Sequence, residues 1–143
     1  ARSNQACATT PAKPAAAPRE AAAAAAAEKP YALGDIYFDF DKFALRPEAR
    51  LMLTKHAVWL NENKQATLAI IVEGHADERG TAEYNLALGE RRATAAANYL
   101  INLGVDPKRI KTISYGFERP LDPGHNEEAW AKNRRAHFVV TAK

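Results

Sequence analysis

Thr67-Leu68-Ala69-Ile70-Ile71-Val72-Glu73-Gly74-His75-Ala76-Asp77-Glu78-Arg79-Gly80-Thr81 reads as a strand, a polar loop and a helix start. Thr67 to Val72 is a continuous β-rich run, the pattern of a strand covered on both faces. Gly74 is expected to end it. Asp77 to Gly80 form the loop, and Thr81 is placed to cap the helix that follows. The apolar face of that helix is read as Leu86, Ala93, Ala96, Ala97, Leu100 and Leu103, and Gly104 stops it.

The flanking sequence repeats the alternation. Ile36 to Phe40 reads as a short strand of aromatic and β-branched residues. Pro47 opens a helix at a position where its missing N–H costs nothing. Ala49, Met52, Leu53, His56, Ala57 and Leu60 then follow helical spacing. Arg109 to Tyr115 is a third strand, ended by Gly116. A polar loop leads to a short helix at 127–133, and Ala136 to Thr141 forms the last strand. The order is β-α-β-α-β-α-β, which predicts at least partly parallel pairing, with helices on one or both sheet faces.

The first 30 of the 143 residues differ from the rest. They hold 14 alanines and four prolines, and no Leu, Ile, Val, Phe, Tyr or Trp. Such a segment cannot bury enough apolar surface to offset its ordering entropy. Residues 1–30 are therefore expected to be a disordered Ala/Pro-rich tether ahead of one domain at 31–143. The charges of that domain nearly cancel, with 16 basic and 15 acidic residues. No apolar run approaches the ~18 residues of a membrane span, and no signal peptide is legible in the sequence.

Composition removes several chemistries. The one cysteine, Cys7, lies in the tether, so an internal disulfide and a cysteine-rich zinc site are excluded. Ser3 and Ser114 are the two serines, and neither sits in a Gly-x-Ser-x-Gly elbow. His56, His75, His125 and His137 show no His-Glu-x-x-His spacing, and His56 falls on an apolar helix face, as a core histidine would. The acid pairs Asp39/Asp41 and Glu127/Glu128 carry no sign of a shared cleft. Phosphate-binding glycine loops are absent. Arg91-Arg92 and Arg134-Arg135 are isolated doublets, which argues against nucleic acid.

What remains is an acid beyond a strand end, Asp77, and arginines on the following helix. Ligands in such sheets sit outside the carboxyl ends of strands. A carboxylate and a guanidinium there can simply pair with each other. They can also grip a zwitterion, the acid holding an ammonium and the arginine forking onto a carboxylate.

Five motifs then stand in order: Phe38-Asp39-Phe40-Asp41, Glu73-Gly74-His75-Ala76-Asp77-Glu78-Arg79-Gly80, Tyr84-Asn85-Leu86-x-Leu88-Gly89-Glu90-Arg91-Arg92-Ala93, Ser114-Tyr115-Gly116 and Lys132-Asn133-Arg134-Arg135-Ala136. Together they closely resemble the wall-binding lipoproteins of the OmpA-like C-terminal domain family of Gram-negative bacteria, over residues ~33–143. The resemblance implies an α+β two-layer sandwich with a mixed sheet. It implies non-covalent binding of peptidoglycan through the meso-diaminopimelate of the peptide stem, without enzymatic activity and without a cofactor or metal. On this resemblance Asp77 and Arg92 hold the ligand. Phe40, Asp41 and Lys42 line the same pocket, Asn85 braces the loop, and His75 and Glu78 are rim contacts. Asp77→Ala and Arg92→Ala are then expected to abolish wall binding and leave the fold intact.

The resemblance further implies an acylated cysteine at the periplasmic face of the outer membrane, for which Cys7 is the candidate. Six residues precede it, without the usual Leu or Val three positions before the cysteine. The implied protein partner is the periplasmic propeller protein of the Tol system (TolB), in the envelope machinery of cell division. A pure protein-interaction module, with Asp77 and Arg92 as a structural pair, is the competing reading.

Overall fold

The computed structural model describes residues 32–63 and 69–141. The expected tether and Cys7 lie outside them. Among the described residues eight elements follow one another: β1 (Ile36–Tyr37), α1 (Pro47–Glu62), β2 (Ala69–His75), α2 (Ala82–Asn102), a 3-10 turn (Pro107–Arg109), β3 (Ile110–Gly116), α3 (Glu127–Asn133) and β4 (Arg135–Thr141). Local signals set the helix ends. Pro47 occupies the first turn of α1, and the Tyr84 amide donates to Thr81 Oγ1 at 3.1 Å. The Ala129 amide donates to Asn126 Oδ1 at 2.9 Å to open α3. Gly104, with φ 99°, turns the chain out of α2.

The sheet runs in the order β1-β4-β2-β3. β2 and β3 are parallel, whereas β4 pairs antiparallel with both β1 and β2. The sheet is mixed, and this is the α+β architecture. Gly74 pairs with Ala136 and Val72 with Phe138, so these four residues share one face. On that face Gly74 meets α2 and Phe138 meets His56 of α1, their rings 5.0 Å apart. Both long helices therefore cover the same side, and the domain has two layers. On the far side Ile71, Glu73 and His137 are half-buried and Ile113 is 40% exposed. β2 is thus fully covered on one face only, not on both. His56 is fully buried, its Nε2 2.9 Å from Gly34 O.

Two boundaries differ from expectation, each for a tertiary reason. Gly116 is the last residue of β3, but Gly74 does not end β2 and lies within it. A Cβ on Gly74 would stand 1.6 Å from Gly89 O, so this glycine is where β2 and α2 touch backbone to backbone. β1 stops at Tyr37 because the chain turns at Asp39–Lys42, where Lys42 N donates to Asp39 O. On α2, Leu86 and Leu103 are exposed. The buried face instead runs through Asn85, Leu88, Gly89, Arg92, Ala93, Ala96, Ala97 and Leu100.

The crossing of α2 over β2 sets the position of everything at the helix start. Gly74→Ala is expected to destabilise the domain at or above the ~1–3 kcal/mol typical of overpacking, because the obstruction is backbone rather than a flexible side chain. A urea midpoint equal to wild type would refute the tightness of this contact.

Candidate functional site

Ala76 donates to Gly116 O at 2.8 Å, so the loop after β2 leaves the sheet beside β3. Asp77 follows at once and is buried, 4% exposed. Its Oδ1 accepts from the Arg79 amide at 3.0 Å, the turn that an aspartate forms with the backbone two residues on. Gly80 supplies the positive φ of 103° that the turn then needs. Asn85 Nδ2 reaches Arg79 O at 2.8 Å and Thr81 O at 3.0 Å, tying the loop to the first turn of α2.

Asn85, Leu88 and Arg92 recur at helical spacing and face the same hollow. Arg92 is fully buried. Its guanidinium donates to three backbone carbonyls, Lys42 O from Nε at 2.8 Å, His75 O from Nη1 at 2.9 Å and Asp39 O from Nη2 at 3.1 Å. It thereby ties the Asp39–Lys42 turn to the end of β2. These bonds use three of its five N–H groups, leaving one on each terminal nitrogen. Asp41, in the left-handed region at φ 57°, accepts from the Tyr84 hydroxyl.

The result is a hollow of about 200 Å³ walled by Phe40, Asp41, Asp77, Tyr84, Leu88 and Arg92, with Arg79 at its edge. That is smaller than the ~300–1,000 Å³ of sites that enclose a drug-sized molecule, so it suits the end of a ligand. Its charged walls are two carboxylates and two guanidiniums. Asp77 and Arg92 make no direct ion pair. The partners of Asp77 are Arg79, with Nη2 to Oδ2 at 2.9 Å, and Arg134, with Nη1 to Oδ2 at 3.5 Å.

Burial alone would raise the Asp77 carboxyl pKa. The side-chain and backbone hydrogen bonds from Arg79 and its positive charge outweigh that and hold it below the usual value. Asp77 is therefore an anion throughout the neutral range. Burial lowers Arg92 to about 10, against the attraction of Asp77 and Asp41, and it too stays charged at neutral pH.

The hollow brings together Asp77, Arg92, Phe40, Asp41 and Asn85. Lys42 enters through its carbonyl on Arg92, and its side chain is not part of the wall. His75 is no rim contact. Its side chain is 1% exposed, bonded through Nε2 to Glu73 at 3.0 Å and stacked on Tyr115. Glu78 is not among the residues that wall the hollow; it accepts from Trp130 Nε1 and His125 Nδ1, both at 2.7 Å. Sequence reasoning passed over Arg79, Tyr84 and Leu88. For the last two the signal was present: they share a helical face with Asn85 and Arg92. Among the described residues no cluster of His, Cys, Asp or Glu could hold a metal ion, and no helix is long and apolar enough to cross a membrane.

The model of the OmpA family matches residues 37–134. The peptidoglycan-associated lipoprotein of Mesorhizobium japonicum is 54% identical over 105 residues, 73% of this chain and 61% of that protein. The protein of the same name from Pseudomonas aeruginosa is 49% identical over 107 residues, covering 75% and 62%. The chain thus spans about six-tenths of the length of these relatives. Among solved structures, the peptidoglycan-associated lipoprotein from Burkholderia pseudomallei superimposes with a TM-score of 0.71 at 42% identity, covering 75% of this chain and 89% of that one. The C-terminal domain of Helicobacter pylori MotB shares the fold at a TM-score of 0.70 and 23% identity, covering 77% and 85%.

Proposed function

Because this chain belongs to the OmpA family, we propose that its domain binds the peptide stem of peptidoglycan non-covalently and so links the cell envelope to the wall. The observation that carries this reading is the small hollow with Asp77 and Arg92 in one wall and equal numbers of acids and guanidiniums around it. The free end of meso-diaminopimelate bears one ammonium and one carboxylate. Asp77 accepts from the first, and the two remaining N–H groups of Arg92 fork toward the second. A lysine stem lacks that carboxylate and leaves a buried donor group without a partner, which is how a polar site rejects an analogue. The relatives' names, which describe lipoproteins associated with peptidoglycan, support the same assignment. No step of bond cleavage is assigned to the domain.

The remaining parts of the proposal follow the family resemblance. Cys7 is the lipid-anchor candidate, holding the chain at the periplasmic face of the outer membrane. The Tol propeller protein is the protein partner, in envelope constriction during division. The wall-binding claim predicts that the protein co-sediments with sacculi carrying diaminopimelate and releases no soluble fragments from them. It also predicts much weaker retention on sacculi of the lysine type. Equal retention on both wall types would overturn the ligand assignment, and fragment release would point to a hydrolase.

A further inference from the structure

We propose that Arg79 is a specificity-determining residue of this site, which exchanges partners as an amino-acid end enters: it releases Asp77 to the ligand ammonium and takes the ligand carboxylate itself. This rests on the wall-stem reading above and adds the residue that enforces it.

The argument begins with the acceptor capacity of Asp77. A carboxylate offers about four lone-pair sites. Oδ1 receives the Arg79 amide at 3.0 Å and Arg79 Nε at 3.3 Å. Oδ2 receives Arg79 Nη2 at 2.9 Å and Arg134 Nη1 at 3.5 Å. An incoming ammonium must therefore displace a donor. The Arg79 amide belongs to the turn and cannot leave. Arg134 is fixed from two further sides, donating to Phe38 O at 3.0 Å and to Glu127 at 2.9 Å, with its side chain only 9% exposed. The Arg79 side chain is 33% exposed, and among the described residues its one hydrogen-bonded partner is Asp77, with Glu127 4.0 Å away. It is the donor that can yield.

Two rings define where it goes. The Arg79 guanidinium lies 4.0 Å from the centre of the Phe40 ring and 4.1 Å from that of Trp130. Trp130 is itself held by its Nε1–H bond to Glu78. A guanidinium between two aromatic faces keeps its attraction to both while it turns in their plane. Phe40 and Arg79 both border the hollow. A freed guanidinium there remains beside the ligand, with its fork available for a carboxylate.

Charge then decides which ligand can complete the exchange. An amino-acid end adds no net charge and re-pairs every group: ammonium with Asp77, carboxylate with Arg79 and Arg92. A bare amine takes Asp77 but leaves Arg79 with only Glu127, 4.0 Å away and exposed, and adds a cation beside Arg92 and Arg134. Arg79 thus sets a cost that only a zwitterionic end repays.

Titrate the wild type and Arg79→Gln with stem tripeptides ending in meso-diaminopimelate or in lysine, following amide NMR shifts, with Arg79→Lys as the conservative control. The wild type is expected to favour the diaminopimelate stem. Arg79→Gln is expected to lose at least tenfold in affinity for that stem and to bind the lysine stem as well as or better than wild type, so that the preference collapses. Arg79→Lys should recover part of it. A preference in Arg79→Gln equal to wild type, or a matched loss for both stems, overturns the role of Arg79 and leaves the wall-stem reading standing. A wild type that binds neither stem removes that reading, and this inference with it.

Discussion

Asp77→Asn is expected to abolish retention on diaminopimelate sacculi while the protein remains folded. Asparagine preserves the shape of the side chain, and its amide oxygen can still accept from the Arg79 backbone in the turn. What goes is the negative charge facing Arg79 and Arg134, and with it, among the described residues, the one buried carboxylate that a ligand ammonium could meet beside Arg92. Removing one member of a desolvated charged contact costs about 2–5 kcal/mol. At about 1.4 kcal/mol per tenfold, that is a loss of roughly thirtyfold or more in affinity. Sedimentation with sacculi, alongside circular dichroism, measures it. A folded Asp77→Asn protein retained as wild type is would remove Asp77 from the site.

Arg92→Ala is expected to act first on the fold. The resemblance treats Arg92 as a ligand residue whose loss leaves the framework untouched, but its complete burial revises that expectation. Truncation would strip the donor from Lys42 O, His75 O and Asp39 O at once, and open a cavity between α2 and the Asp39–Lys42 turn. Each buried acceptor left unmet costs about 1–3 kcal/mol, so a total of roughly 4 kcal/mol or more is expected, among the largest effects of a single substitution. The thermal midpoint should drop by about 15 °C or more. Arg92→Lys keeps the charge without the fork and should fall between the two. A midpoint for Arg92→Ala within a few degrees of wild type would mean that the turn holds itself in place.

The features legible in the sequence were those decided within a few residues. Pro47, Thr81 and Gly104 mark helix ends by chemistry confined to one turn, and the helices begin and end beside them. Features decided across the fold were not legible. Gly74 reads as a strand terminator until Gly89 is known to stand against it. Arg92 reads as half of an isolated doublet, because nothing local shows that three carbonyls from two distant segments converge on it. Arg79 lies in plain view two residues after Asp77, but the rings that hold it, Phe40 and Trp130, are far away in sequence.

β4 has a consequence for how the molecule is made. Among the described residues the last strand occupies an interior place in the sheet, between β1 and β2. A polypeptide emerging from its amino end, from a ribosome or a translocation pore, cannot complete this sheet until residues 135–141 are out, and the pairings β4 makes span long stretches of sequence, the kind that form slowly. Until then β1 lacks its partner and one edge of β2 stays bare, open to pairing with a neighbouring chain. The stretch from β1 to β3 thus waits for β4, the strand that joins β1 to β2, and the bare edges of those two are shielded only when residues 135–141 pair.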